Sequence, residues 1–280
     1  MFIVTIHDLK NIKKLKEAGA DAIIVGIEGF SIRQSLMLSI DDLKKAVVQC
    51  HELQLKLYVN ALRFFMEDEL NGLKTFLMDC KDAKVDGIYY SDEGVFYEAQ
   101  KIGIESLLIY QPETLITNHK DIAFYLGLGI QSVSLAHECS LDEILEMTEE
   151  NKNVEVLISG YFSILYSRRL LVSNYLEAIG SKETGHNRSL ELIESTRKDR
   201  MPIIEDDYGT HIFSEAPIQS SKELSQLQAH GLQRFRLDSI FFDDDWTIQV
   251  LQAYQNQAEV PGSNHWYYQM TMKKKEAEHE

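Results

Sequence analysis

The stretch from Glu155 to Tyr175, EVLISGYFSILYSRRLLVSNY, decides the fold. The apolar run Val154–Ile158 predicts a buried strand, and the Ser-Gly-Tyr tripeptide at 159–161 predicts the turn that ends it. A helix-like run that carries Arg168 and Arg169 follows this turn. A strand that leads into a helix is the unit from which parallel α/β sheets are built.

Seven more short apolar runs predict strands of the same kind, and amphipathic helical patterns lie between them. A strand that is covered on both faces is apolar throughout and does not alternate between apolar and polar residues. The predicted strands have this continuous apolar pattern. Eight β–α units with right-handed crossovers predict a (β/α)8 TIM-like barrel. The eight predicted strands are Phe2–Ile6, Ala22–Ile27, Leu57–Leu62, Gly87–Ser91, Ser106–Tyr110, Ser132–Ala136, Val154–Ile158 and Arg234–Leu237.

An insertion, residues 159–233, interrupts the regular spacing between strands 7 and 8. We expect it to lie at the barrel mouth and to hold the helix with Arg168 and Arg169. A hairpin of Met201–Ile204 with Thr210–Phe213 is expected to follow. The sequence therefore predicts one barrel domain over residues 1–258. Residues 259–280 are expected to form a partly flexible tail in which Trp266–Met272 adds a strand.

The composition bounds the classes of partner and the cellular compartment. With 28 basic and 44 acidic residues the net charge is −16, which argues against a general nucleic-acid binder. No apolar run approaches the roughly 18 residues of a membrane span, and no secretion signal is visible at the start. Cys50, Cys80 and Cys139 lack metal-ligand spacing and are expected to be reduced thiols, the first two buried on helices. These features predict a cytoplasmic protein without a membrane partner.

The carboxyl ends of the predicted strands carry polar residues at every station, which indicates a ligand-binding pocket at the barrel mouth. Strand ends also reach solvent, so any single polar residue there has an alternative explanation. The arginines at the mouth also have an alternative explanation, namely a structural salt-bridge network with Glu28, Asp92 and Glu138. The catalytic candidates are Asp92, His137, Glu138 and Asp238, and the ligand-binding candidates are Arg33, Asn60, Gln111, Arg168 and Arg169.

Common catalytic motifs are missing from the sequence. It has no H-E-x-x-H zinc motif, no G-x-S-x-G elbow and no phosphate-binding glycine loop. Cys139 follows Glu138 near the mouth, but no basic group that would activate it is evident. The residues alone therefore leave the chemical step open.

The Glu155–Tyr175 stretch resembles the signature of the collagenase-like peptidase family U32. That signature runs roughly E-x-F-x-H-G-x-x-C-x-x-x-S-G-R-C-L-x-S-N-Y, followed by N-R-G-x-C-x-x-x-C-R. The resemblance extends along the chain: Ala136-His137-Glu138 stands for A-R-E-L, and Arg236-Leu-Asp238 for K-I-E-G-R. The signature residues retained here are Glu155, Gly160, Ser167, Arg169, Leu171, Ser173, Asn174, Tyr175, Asn187 and Arg188. The resemblance thus adds Asn187 and Arg188 to the ligand-binding candidates.

The family's four cysteine positions hold Ser163, Leu170, Glu191 and Ser195 in this chain. Since thiolates hold iron–sulfur clusters, the resemblance implies a member without a cluster. Relatives are implied to act in 5-hydroxylation of the tRNA wobble uridine, drawing on prephenate. A cluster-less member is then expected to bind tRNA or a small carboxylate beside a cysteine-bearing paralogue. A peptidase with an unassigned site and a non-catalytic scaffold remain as alternatives.

Overall fold

The computed structural model describes residues 1–186, 189–193, 195 and 199–269. Asn187 and Arg188 lie outside the described residues. The strands in chain order are β1 (Phe2–Thr5), β2 (Ala22–Ile27), β3 (Met37–Leu38), β4 (Lys56–Ala61), β5 (Gly87–Tyr90), β6 (Leu108–Tyr110), β7 (Ser132–Ser134), β8 (Val154–Gly160), β9 (Ser163–Ser167), β10 (Glu191–Ile193), β11 (Arg200–Asp206), β12 (Gly209–Phe213), β13 (Ile218–Gln219) and β14 (Arg234–Leu237). The α-helices are α1 (Ile12–Glu17), α2 (Ile40–Glu52), α3 (Leu70–Ala83), α4 (Glu93–Lys101), α5 (His119–Gly127), α6 (Leu141–Met147), α7 (Leu171–Ala178), α8 (Leu224–Ala229) and α9 (Asp244–Gln255).

Eight parallel strands close into a barrel in the order β1-β14-β8-β7-β6-β5-β4-β2, and β2 pairs with β1 to complete the ring. The predicted (β/α)8 barrel is confirmed, and each of the eight predicted strands overlaps a barrel strand. The apolar strands are buried because helices cover their outer faces. The predicted capping box of α6 is also present, since Ser140 and Glu143 exchange hydrogen bonds with each other's backbone N–H groups.

The insertion forms a second, antiparallel sheet in the order β10-β11-β12-β9. Its predicted hairpin is confirmed, with Ile203 opposite Ile212. The helix predicted to carry Arg168 and Arg169 is wrong. The preceding residues form β9, which pairs with β12 through Tyr166 and His211, and α7 begins only at Leu171.

The described part of the tail packs against the barrel. Val260 and Tyr267 are buried, and the Tyr267 hydroxyl lies 2.7 Å from Ser220 Oγ. The strand predicted at Trp266–Met272 is wrong over its described part, because a 3-10 helix spans His265–Tyr268. The rest of the tail lies outside the described residues. Among the helices that the structure describes, none is long and apolar enough to cross a membrane.

Candidate functional site

A narrow pocket lies at the carboxyl ends of the barrel strands, and its cavity volume of about 20 Å³ has room for one or two water molecules. Its walls combine charged side chains with apolar and aromatic ones, as small-ligand sites do. The insertion contributes part of the wall, so the pocket belongs to both sheets. The lining residues are Thr5, Ile24, Arg33, Gln34, Asn60, Leu62, Tyr89, Gln111, Glu113, His137, Tyr161, Phe162, Ser163, Phe213, Arg236 and Asp238.

Arg33 and Glu113 form a salt bridge across one wall of the pocket. Arg33 Nη2 donates to Glu113 Oε1 at 2.5 Å, and Gln111 Nε2 donates to the same oxygen at 3.0 Å. Both Arg33 (φ 55°) and Glu113 (φ 67°) have left-handed backbones, a strained conformation for a residue with a side chain. Burial raises the pKa of Glu113, but Arg33 and the neighbouring positive charges outweigh it and bring the pKa to about 2. The Glu113 carboxylate is thus fixed and charged at pH 7.

His137 lies beside Glu113 and meets Arg236. Arg236 Nη2 donates to His137 Nε2 at 3.0 Å. Since a guanidinium only donates, Nε2 accepts and the ring proton sits on Nδ1, which lies 3.4 Å from Glu113 Oε2. Burial lowers the pKa of His137 to about 3. His137 is therefore a neutral ring with a defined tautomer.

A buried carboxylate beneath the pocket supports Arg236. Glu155 Oε1 lies 3.6 Å from Arg236 Nε, and Glu155 Oε2 accepts a 2.6 Å hydrogen bond from the Tyr89 hydroxyl. Arg234 Nη2 approaches the same carboxylate at 3.8 Å. Glu155 is fully buried, so it needs these partners, and in turn it holds Arg236 toward the pocket.

Asp238 is the pocket carboxyl group that keeps an oxygen available. Its Oδ1 accepts the Ile240 N–H at 3.2 Å, and within the described residues no hydrogen bond reaches Oδ2. Burial raises the pKa of Asp238, while Arg236 and Arg33 oppose that rise. Gly160 fixes the backbone here: its φ is +113°, and a Cβ atom would lie 2.0 Å from the Asp238 carbonyl oxygen.

The structure separates the predicted site residues into two groups. Those that line the pocket are Arg33, Asn60, Gln111, His137 and Asp238. Within this group, Asn60 uses its amide to hold a loop, donating to the Ile32 carbonyl at 2.9 Å and accepting the Leu62 N–H at 3.0 Å.

Asp92 and Glu138 do not line the pocket. Asp92 caps α4: one carboxylate oxygen accepts the Gly94 N–H at 2.7 Å, and the other accepts the Phe65 N–H at 2.9 Å. This occupies both oxygens in local structure. Asp92 and Glu138 are therefore outside the pocket.

Arg168 and Arg169 do not line the pocket. Arg168 Nη2 is 3.4 Å from Glu69 Oε2, and the other Glu69 oxygen accepts from Arg63. The sequence alternative of a salt-bridge network thus applies to Arg33 and Arg168, with Glu113 and Glu69 as partners. Glu28, Asp92 and Glu138, the partners expected from the sequence, have no ion pair with an arginine among the described residues.

Glu205 holds Ser173, one of the retained residues of the family signature, through hydrogen bonds. Its carboxylate accepts from the backbone N–H groups of Val172 at 2.8 Å and Ser173 at 3.0 Å, and from the Ser173 hydroxyl at 2.5 Å. The Thr210 hydroxyl lies 2.7 Å from the same carboxylate and 2.8 Å from the Arg169 carbonyl oxygen, and its single proton is donated to one of the two. The carboxylate caps α7 and holds the turn that presents Arg168 and Arg169.

The sequence patterns did not predict the ion pairs that Glu113, Glu155 and Arg236 form in and beneath the pocket. A signal for two of them exists, since Glu155 in V-E-V-L-I and Arg236 in R-F-R-L are charges inside strands that must be buried. A charge in such a strand needs a partner of opposite sign inside the barrel. That argument pairs Glu155 with Arg236, as the structure does.

The positions of the family's cysteines do not fit an iron–sulfur cluster. Ser163 lines the pocket on β9, whereas Glu191 on β10 pairs with Arg200 at 2.8 Å. Two strands separate β9 from β10, which puts these positions roughly 14 Å apart at ordinary strand spacing. Leu170 is partly exposed, Ser195 is exposed, and none of the four side chains is a thiolate.

A closed parallel barrel with a charged pocket at the carboxyl ends of its strands defines a (β/α)8-barrel protein, the class whose active sites lie at this end of the barrel. The chain belongs to Peptidase family U32, whose sequence profile matches residues 7–277. The resemblance seen in the sequence is thereby confirmed.

Its relatives include two tRNA hydroxylation proteins of Bacillus subtilis. Protein P2 is 28% identical over 276 residues, which cover 95% of this chain and 88% of P2. Protein P1 is 29% identical over 254 residues, which cover 88% of this chain and 60% of P1. The 23S rRNA 5-hydroxycytidine synthase of Escherichia coli is 20% identical, over 85% of this chain and 36% of its own length.

Among solved structures, the U32 peptidase Mk0906 has a similar fold. The TM-score is 0.53 at 12% identity, and the match covers 85% of this chain and 91% of that chain. At this identity the similarity supports the barrel fold alone.

Proposed function

We propose that this protein acts in the 5-hydroxylation of the tRNA wobble uridine as an anion-binding subunit that holds no iron–sulfur cluster. The observation that carries the proposal is the mouth pocket, where Arg33 and Arg236 face one enclosed space. Relatives named for tRNA hydroxylation and for rRNA hydroxycytidine synthesis support RNA modification as the process. The substituted cysteine positions support a role without a cluster.

The pocket ligand that the geometry favours is a small carboxylate. A guanidinium binds a carboxylate through paired hydrogen bonds. Because the cavity volume is about 20 Å³, the pocket walls must move apart to admit such a ligand. Tyr161, Phe162 and Phe213 add apolar wall, which suits a ligand with a ring. An RNA strand is too large for this space, and the net charge of −16 disfavours RNA over most of the surface.

A cysteine-bearing paralogue is the proposed partner that supplies redox chemistry and contributes to RNA binding. The chain matches 88% of the length of tRNA hydroxylation protein P2 but only 60% of P1. It therefore corresponds in extent to P2, and the longer relative has additional sequence that this chain does not match.

Peptidase chemistry is disfavoured by the pocket. Ser163 and Thr5 are the aliphatic hydroxyl residues among the lining residues, and His137 is the lining imidazole. A serine nucleophile needs a histidine nitrogen that accepts its proton. The accepting nitrogen of His137 is already bonded to Arg236, and its other nitrogen carries the proton.

Deletion of the chromosomal copy tests the proposed function, with tRNA nucleosides analysed by mass spectrometry. We expect the wobble uridine to lose the mass of one oxygen atom, and the wild-type protein to restore it. Arg33→Lys should restore it poorly, because lysine cannot reproduce the fork that holds Glu113 and a ligand together. Arg200→Gln, which removes a surface pair with Glu191, serves as the matched control and should restore it fully.

Unchanged tRNA in the deletion strain would overturn the proposed function. Cleavage of denatured collagen by the purified protein alone would favour the peptidase alternative. Capture of a partner by a protein whose pocket variants all restore the modification would favour a scaffold.

A further inference from the structure

We propose that the mouth pocket takes up its carboxylate ligand together with one proton, and that Asp238 carries this proton. The inference rests on the proposed function in one respect, that the pocket is a carboxylate site. It adds a residue that exchanges a proton with the ligand.

The charges around the pocket are balanced before a ligand binds. The positive groups in and beneath it are Arg33, Arg234 and Arg236, and the negative ones are Glu113, Glu155 and Asp238. With Asp238 ionised the six charges cancel. A ligand carboxylate then adds an unbalanced negative charge in a space of low dielectric. Uptake of one proton restores the balance.

The hydrogen bonds identify the carboxyl group that takes this proton. Glu113 accepts from Arg33 and Gln111, and Glu155 accepts from Tyr89 beside two arginines. Protonation of either would break these contacts. Asp238 loses little, since its side chain accepts only the Ile240 N–H within the described part of the chain.

The groups that face Asp238 come from several elements. Arg236 lies on its own strand, Arg33 follows β2, Glu113 follows β6, and His137 follows β7. Tyr161 after β8 and Thr5 on β1 complete the wall. The positive charges of Arg236 and Arg33 favour the ionised form of Asp238 against the effect of burial, and a bound carboxylate offsets that influence. Burial already raises the pKa of Asp238, so the added negative charge moves it further in the same direction.

Proton exchange with the ligand then requires only Asp238, which lines the pocket. The protonated Asp238 donates its O–H to a ligand oxygen, and no oxidant or reductant is involved. If a reaction builds negative charge on that oxygen, the O–H bond of Asp238 breaks and a new O–H bond forms on the ligand. The electron pair stays on Asp238 as a carboxylate beside Arg236.

Benzoate is a suitable probe, because it combines a carboxylate with a ring for the apolar wall. Benzamide, neutral and of the same shape, is its control. Titration calorimetry between pH 6 and pH 8, in buffers that differ in their heat of ionisation, counts the protons taken up per benzoate bound. Benzoate stays ionised in this range, since carboxylic acids of its type titrate near pH 4.

For the wild type we expect close to one proton per benzoate, and affinity that rises up to about tenfold for each pH unit lowered. Asp238→Asn should take up no proton, bind benzoate independently of pH, and bind it at least as tightly as the wild type at pH 8. If Asp238 merely supported the fold, the Asp238→Asn variant would bind benzoate more weakly than the wild type at every pH. Glu138→Gln, outside the pocket, should behave as the wild type does.

The outcomes separate the two proposals. Benzoate binding without proton uptake would overturn the role of Asp238 and leave the carboxylate pocket standing. Proton uptake that persists in Asp238→Asn would overturn it too and point to His137 as the carrier. No preference for benzoate over benzamide would overturn the carboxylate pocket itself, and with it the inference.

Discussion

Arg236 Nη2 lies 3.0 Å from His137 Nε2, and these residues occupy two positions where the chain departs from the family pattern. His137 stands where A-R-E-L has arginine, and Arg236 stands where K-I-E-G-R has lysine. An arginine at 137 would set two buried guanidiniums against each other. A neutral histidine accepts a hydrogen bond from Arg236 instead, so the two departures are compatible as a pair.

Acid should destabilise the folded protein well above the pH at which its carboxylates titrate. Burial lowers the pKa of His137 and of His211 to about 3, so both rings are neutral when folded. Their contribution is complete above the unfolded pKa near 6.5 and is lost as pH falls toward 3, by up to about 1.4 kcal/mol per pH unit for each ring. Glu113, with a pKa of about 2, adds a loss that begins below about pH 4.5. Urea unfolding from pH 7 to pH 4 measures the slope, and the exposed His119→Gln should leave it unchanged.

His211→Phe should stabilise the protein. The His211 ring stacks on Tyr166 at 4.5 Å, and neither ring nitrogen has a hydrogen-bond partner among the described residues. Phenylalanine keeps the stack and removes two unsatisfied polar atoms, so we expect a gain of about 1–2 kcal/mol at pH 7. The pH slope should flatten at the same time. His211→Ala, which leaves a cavity, should destabilise instead, and a loss in both variants would show that the nitrogens are satisfied.

Gly160→Ala should cost more than about 3 kcal/mol, because the new Cβ would lie 2.0 Å from the Asp238 carbonyl oxygen at a backbone φ of +113°. Gly72→Ala in α3 is the matched control. Nothing lies within 4 Å of its added Cβ, so alanine should stabilise the helix by about 0.5–1 kcal/mol. Thermal unfolding of both variants tests the pair, and equal effects would contradict it.

Cys50 and Cys80 should prove structural. Both are fully buried, on α2 and α3, and burial raises the pKa of Cys50 to about 12. Replacing both with alanine should cost about 1–2 kcal/mol each and leave benzoate affinity unchanged. Met78→Ala, an exposed change on α3, should cost much less. A double variant that folds as the wild type does but loses affinity would refute a structural role.

The protein purified without oxygen should contain no iron–sulfur cluster, because Ser163, Leu170, Glu191 and Ser195 cannot supply thiolates. Cys50 and Cys80 are buried on separate helices and do not replace them. Iron analysis and visible absorption measure this directly. Stoichiometric iron with a charge-transfer band would contradict the prediction.

The barrel could be predicted because most of its strands are short and apolar and lead into a helix. The insertion was harder. Ile164, Leu165 and Tyr166 suit a helix face as well as a strand, and only the pairing of Tyr166 with His211 on β12 makes them β9. The strand prediction for the tail beyond Pro261 was wrong for a similar reason. Its aromatic residues predict a strand, but Trp266 and Tyr267 pack on the barrel from a 3-10 helix.

For the site, position along the strands placed Arg33, Gln111, His137 and Asp238 at the mouth, and the structure has them in the pocket. The same rule also selected Asp92, since a carboxylate after a strand serves equally well to cap the next helix. Which side chains pair inside the barrel depends on register and on the left-handed backbone of Arg33 and Glu113. The linear sequence does not encode these in any local pattern.

Ile218 on β13 pairs antiparallel with Gly160 at the end of β8, so the chain returns beside the point from which it departed. The segment from 161 to 217 therefore begins and ends on neighbouring strands, which lie about 5 Å apart. A tight hairpin turn spans such a gap, so we expect the barrel to tolerate exchange of this segment when the replacement keeps the buried Phe162. Recombination between family members would then replace one wall of the pocket while Arg33, Glu113 and Asp238 stay where they are.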